Sequence, residues 1–106
     1  MHVYQLGEMS KGWFVGDFAP ACLRSPHCEV GIKHYRAGDE ESAHHHKVAT
    51  ELTAIVSGRV VMFGLEFGAG QIVQVDPGES TAFHALTDVV TVVVKVPSVA
   101  GDKYTD

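Results

Sequence analysis

The chain has 106 residues, a length that holds one domain. Apolar residues make up 45% and charged residues 20%, a balance that excludes a disordered chain, and a net charge of −5 without a basic cluster argues against a nucleic-acid partner. No apolar run of about 18 residues is present, so no membrane span is expected; the start, MHVYQLGEMSKGW, lacks the basic and apolar regions of a signal peptide, which makes the cytoplasm the expected compartment.

The first 28 residues read as an irregular arm or edge strand. Trp13, Phe14 and Phe18 are gathered in KGWFVGDFAP with two glycines and a proline, and these aromatics either cap the chain's own core or lie on a partner subunit. Cys22 and Cys28 fit no common zinc spacing and read as two reduced thiols. Beyond them, short runs of β-branched and aromatic residues predict strands over 28–36, 49–57, 59–67, 70–75, 80–85 and 89–96. Gly58, the 68–70 stretch and Asp76-Pro77-Gly78 supply the turns between them. No segment carries a helical period of apolar residues, so the chain is expected to be all-β, a sandwich or barrel.

Two of these strands carry polar residues of interest. In EVGIKHY, Glu29, Gly31, Lys33 and Tyr35 share one face, and Val30, Ile32 and His34 the other. If the polar face turns inward, Lys33 and Tyr35 line a lumen suited to an anionic, oxygen-rich ligand; if the apolar face does, Lys33 is a solvated charge. The last strand, DVVTVVVKVP, is nearly all valine, which suggests burial on both faces. Lys95 interrupts it and is expected near the strand end in water, the alternative being a pairing with an acid near the site. Asp102, Lys103 and Tyr104 belong to a polar tail with no assignable role.

The densest chemistry lies in residues 38–58, GDEESAHHHKVATELTAIVSG. His44 and His46 are two apart, so an extended strand projects both to one side and His45 to the other. Glu51 returns to the same side if the chain turns once after His46. Two imidazoles and one carboxylate converging in this way make a divalent metal site with open coordination positions. Taken alone, the histidines also fit a polar surface cluster.

The spacing of Gly38, His44, His46, Glu51 and Gly58 resembles the first motif of the cupin superfamily at all five of its fixed positions. The second motif is matched only in part by residues 70–85, GQIVQVDPGESTAFHA: Gly70 and Gly78 are in register, but Asp76, Thr81 and Ala85 stand where that motif has proline, histidine and asparagine. His84 lies three residues after Thr81, and an odd separation sends the two to opposite faces of a regular strand unless a bulge near residues 79–82 intervenes.

The resemblance implies a single cupin-like domain over 1–106, a small antiparallel β-barrel or jelly roll, with an N-terminal arm over 1–28, a barrel core over 29–97 and a tail over 98–106. It implies one divalent metal ion (iron, manganese, zinc, nickel or copper) held by His44, His46 and Glu51, with His84 as an alternative fourth ligand. Lys33, Tyr35 and Thr81 would line a pocket for a small-molecule ligand. The function implied is that of a metal-dependent oxygenase or isomerase of a small organic acid or sugar-like substrate; the alternative is a non-catalytic ligand-binding or metal-binding module or accessory subunit. The small core and aromatic arm make a homodimer the expected assembly.

Overall fold

Short strands account for nearly all the regular structure of the computed structural model, which describes all 106 residues; the one helical turn is a 3-10 segment at Leu6–Glu8. One sheet carries six strands in the order β2 (Leu23–Arg24), β1 (Trp13–Gly16), β3 (Glu29–Tyr35), β10 (Val89–Val96), β5 (Thr50–Ser57) and β8 (Ile72–Val75). The second carries β11 (Tyr104–Thr105), β4 (Glu40–His45), β9 (Thr81–Ala85), β6 (Arg59–Met62) and β7 (Leu65–Gly68). All neighbours are antiparallel except β1 and β2. This is the all-β jelly roll that the sequence leads one to expect. No helix is long and apolar enough to cross a membrane.

The structure departs from the expected elements at named places. The run 59–67 is not one strand but the hairpin β6–β7, with Met62 paired to Leu65 across Phe63 and Gly64. Both turn residues have positive φ, 52° and 70°, which is the geometry of a two-residue hairpin turn matched to strand twist. Gly58 does not join paired strands either. It carries the chain from the six-stranded sheet (β5) into the five-stranded one (β6), at φ 89°, where an added Cβ would collide with the Asp88 carbonyl. The arm contributes β1, whose Trp13 pairs with Gly31 of β3, so its aromatic is laid on this chain's own barrel. The tail contributes β11, paired to the end of β4.

Each sheet turns one face to the interior. On the larger sheet the register aligns Glu29, Lys95 and Glu51 in one row, and Lys33, Thr91 and Ile55 in another, all on the face whose residues are the more buried. The polar face of β3 is therefore the inner one. Strand β10 is not buried on both faces: Val89, Thr91 and Val93 are buried while Val90, Val92 and Val94 are half-buried on the outside. Lys95 faces inward, against the expectation of a solvated strand end, because the register sets it between two glutamates. The core is a cluster of Ile55, Val60, Met62, Val73, Val75, Phe83, Ala85 and Val89 filling one end of the barrel. Each of these side chains other than Ala85 contributes about 1.5–3 kcal/mol on burial. Met62, Val75 and Phe83 of this cluster also line a cavity between the sheets.

Candidate functional site

The cavity has a volume of about 230 Å³ and takes in His44, His46, Glu51, Lys33, Tyr35 and Thr81. His84 lies outside it, with Nδ1 3.4 Å from Glu40 on the outer side of β4 and β9. Thr81 lines the cavity, but its hydroxyl is already engaged by backbone, accepting from Phe63 N at 2.8 Å and donating to the Ala82 carbonyl at 2.7 Å.

The two inward histidines are held in the same manner. The Nδ1 of His44 contacts the Ser42 carbonyl at 3.0 Å, and the Nδ1 of His46 is hydrogen-bonded to the Asp102 carbonyl. A carbonyl can only accept, so each Nδ1 carries a proton, and it is Nε2 whose lone pair is available in the neutral ring. This outer hydrogen bond is the arrangement that fixes the tautomer of a metal-binding histidine. His46 is 3% exposed, and its Nε2 has no hydrogen-bond partner. The nearest carboxylate oxygen is Oε1 of Glu51, at 3.5 Å. The ring of His44 stands edge-on to that of His46, with centroids 5.4 Å apart. His45 points away, bonded to the Asp106 carboxylate at 2.8 Å and stacked on Tyr104.

In chemical type these donors suit a divalent metal. They are not drawn to ligand spacing: no three histidine, cysteine, aspartate or glutamate side chains are gathered closely enough to form a ready cage. His46 and Glu51 act on one another instead. The nearby Glu51 carboxylate raises the His46 pKa against the opposing effect of burial. Burial pushes the Glu51 carboxyl up, but the nearby His46 ring and the Lys95 charge outweigh it and hold the pKa low.

Several residues of the site were not foreseen from sequence. Glu41 lines the cavity and accepts a hydrogen bond from the Tyr35 hydroxyl at 3.1 Å. It reaches the interior because β4 carries one extra residue: Glu41 pairs with Phe83 and His44 with Thr81, three steps on one strand against two on the other. Burial, then the charge of Glu41, pushes the Tyr35 pKa far up, so the phenol keeps its proton. Asp102, in the tail, accepts backbone N–H groups of Lys47, Val48 and Ala49 with its carboxylate while its carbonyl holds His46. Thr91 Oγ1 and His46 Nε2 are the two buried side-chain polar atoms without a partner, and both residues line the cavity. Orphaned polar atoms are costly to bury, and clustered in one cavity they mark a place for a ligand or ordered water.

Comparison with known proteins places the fold. No protein-family model matches the chain, and no curated protein sequence does. Solved structures do. An uncharacterized conserved protein with a double-stranded β-helix domain from Klebsiella pneumoniae superposes with a TM-score of 0.71 at 20% identity, covering 93% of this chain and 87% of that one. The DMSP lyase DddQ from Ruegeria pomeroyi gives 0.73 at 17% identity over 88% of this chain and 49% of its own. Pac13, described as a unique nucleoside dehydratase, gives 0.69 at 16% identity over 77% and 70%. The architecture is thus the double-stranded β-helix of cupin-type proteins. At these identities the likeness extends to fold and not to activity.

Proposed function

We propose that this cupin-type barrel is a metal-dependent enzyme acting on a small organic acid or sugar-like molecule, with His44, His46 and Glu51 as the metal ligands. The observation that carries the reading is His46: a fully enclosed imidazole whose Nδ1 is tied to a backbone carbonyl and whose Nε2, without any hydrogen-bond partner, lies 3.5 Å from a carboxylate in a polar cavity. A divalent ion bound there supplies Lewis acidity toward a substrate oxygen. Histidine and carboxylate donors leave the choice among iron, manganese, zinc, nickel and copper open.

The remaining chemistry belongs to the chain. Tyr35 and Glu41 form a hydrogen-bonded pair facing the same cavity, the tyrosine holding its proton and the glutamate accepting it. A fixed acid beside a fixed base suits proton transfer at a substrate carbon or oxygen. This favours isomerase or elimination chemistry over oxygenation; a lyase and a dehydratase are among the proteins sharing the fold, so the fold accommodates such reactions. The test is metal analysis of untagged protein followed by turnover assays on hydroxy acids and sugar acids, with Tyr35→Phe and Glu41→Gln compared to the parent. Bound metal with turnover lost in both variants supports the reading.

The second reading is a non-catalytic binding module. It is favoured by the spacing of the three donors, which are not gathered into a ready cage. Under it, ligands are recovered unchanged from metal-loaded protein at any concentration.

A further inference from the structure

The chain is acidic overall, yet its cations are not spread evenly. It has five lysines, and four of them, Lys11, Lys33, Lys95 and Lys103, line the one cavity that holds the histidines. Only two acidic residues, Glu41 and Glu51, share that lining. Of the four lysines only Lys95 has a carboxylate within ion-pair reach, Glu29 at 4.0 Å. Lys11 and Lys103 are exposed and form the rim, while Lys33 and Lys95 are half-buried in the wall.

These wall lysines are not free surface chains. The ammonium of Lys33 donates to the Lys11 carbonyl at 2.7 Å. Lys33 and Lys95 both lie over the Trp13 ring, at 5.4 and 4.8 Å from its centroid. Trp13 can sit there because residue 31 is glycine; a Cβ at that position would come within 2.7 Å of the indole. The indole thus fixes two like charges at one side of the cavity. Burial, opposed by Glu41 and aided by Lys11, Lys95 and Lys103, lowers the Lys33 pKa. Such crowding of cations is relieved by an anion. Lys11, Lys33, Tyr35 and Glu41 also line a second, more open cavity beside the Leu6–Glu8 turn, so the cationic stretch is where the two spaces meet.

We infer that the cavity recognises a small organic dianion, a dicarboxylate, with one acidic group toward His46 and the other held by Lys33 together with the rim lysines Lys11 and Lys103. This deepens the enzyme reading by naming the substrate class, but it rests on the lysines and so is tested without metal. Protein stripped with chelator and dialysed is titrated, by heteronuclear NMR or calorimetry, with linear dicarboxylates of three to six carbons, the matching monocarboxylates, the neutral diamides and inorganic phosphate.

The expected result is saturable binding of at least one dicarboxylate, at least tenfold tighter than its monocarboxylate, undetectable for the diamide, and weakening with salt. Lys33→Gln, and separately Lys103→Gln at the exposed rim, should each lower that affinity severalfold or more. Lys47→Gln, at the one lysine outside the cavity, should leave it unchanged. Equal binding of diamide and dicarboxylate, binding of phosphate alone, no binding of any dicarboxylate, or an equal loss in Lys47→Gln would overturn the inference. Dianion binding by protein that takes up no metal would uphold it while removing the metal-enzyme reading.

Discussion

His46 hangs from the tail of the chain: its Nδ1 is hydrogen-bonded to the carbonyl of Asp102, and the Asp102 carboxylate accepts the backbone N–H groups of Lys47 and Ala49 at 2.8 and 2.9 Å. One residue far along the sequence therefore sets both the ring and the backbone that follows it.

Asp102→Ala should destabilise the domain by about 2 kcal/mol, since it strips the acceptor from three backbone N–H groups, the buried one of Ala49 among them. The Asp102 carbonyl that accepts from His46 remains in this variant, but it loses the carboxylate bonds that anchor residue 102 to the backbone after His46, so metal affinity should fall about 10-fold through a loosened ring. Burial pushes the Asp102 carboxyl up, but the N–H groups of Ala49, Lys47 and Val48 prevail and hold its pKa low. A carboxyl lowered on folding contributes stability that is present above its unfolded pKa, about 3.9, and is lost as pH falls through the folded value. Melting temperature against pH should therefore drop on the acid side in the parent and be flatter there in Asp102→Asn. Parallel curves would contradict this role.

Gly58→Ala should cost on the order of 1 kcal/mol or more, because the position has φ 89° and the added methyl meets the Asp88 carbonyl. Chemical denaturation of the two proteins checks it. An unchanged midpoint would mean that the passage between sheets tolerates a side chain.

Much of this architecture is legible in the sequence, for a physical reason: strands such as 29–35 and 89–96 announce themselves through β-branched runs bounded by turn residues, and two-residue parity sends His44 and His46 to one face. What escapes is whatever depends on partners distant in sequence. The extra residue in β4 turns Glu41 inward although it is an odd number from His44, and no local signal marks it. Phe63 takes a left-handed conformation that its side chain disfavours, so the hairpin at 62–65 reads as continuous strand. Lys95 reads as solvated because its flanking glutamates are supplied by β3 and β5. Asp102 looks idle for the same reason.

The outer face of the larger sheet gives the expected homodimer a surface. Val30, Val94 and Leu52 align in one row and Ile32, Val92, Ala54 and Ile72 in the next, with no charged side chain among them. Ile72 is 67% exposed and Leu52 37%. We propose that two copies pair across this face. Specific interfaces bury about 1,000 Å² or more in total, which two such faces together with their rims can supply. Light scattering should give twice 11.4 kDa at micromolar concentration, and Ile72→Lys with Val92→Glu should give a folded single chain. A parent that stays at 11.4 kDa would reject the pairing.

We propose that His46, with His44 and Glu51, holds a metal while His84 does not. Elemental analysis of untagged parent, His46→Ala and His84→Ala, each exposed to the same limiting metal and then desalted, checks this assignment. The expected result is close to one divalent ion per chain in the parent and in His84→Ala, and little or none in His46→Ala, with all three shown to be folded by circular dichroism. Equal metal in His46→Ala and the parent, or loss in His84→Ala as complete as in His46→Ala, would contradict the assignment.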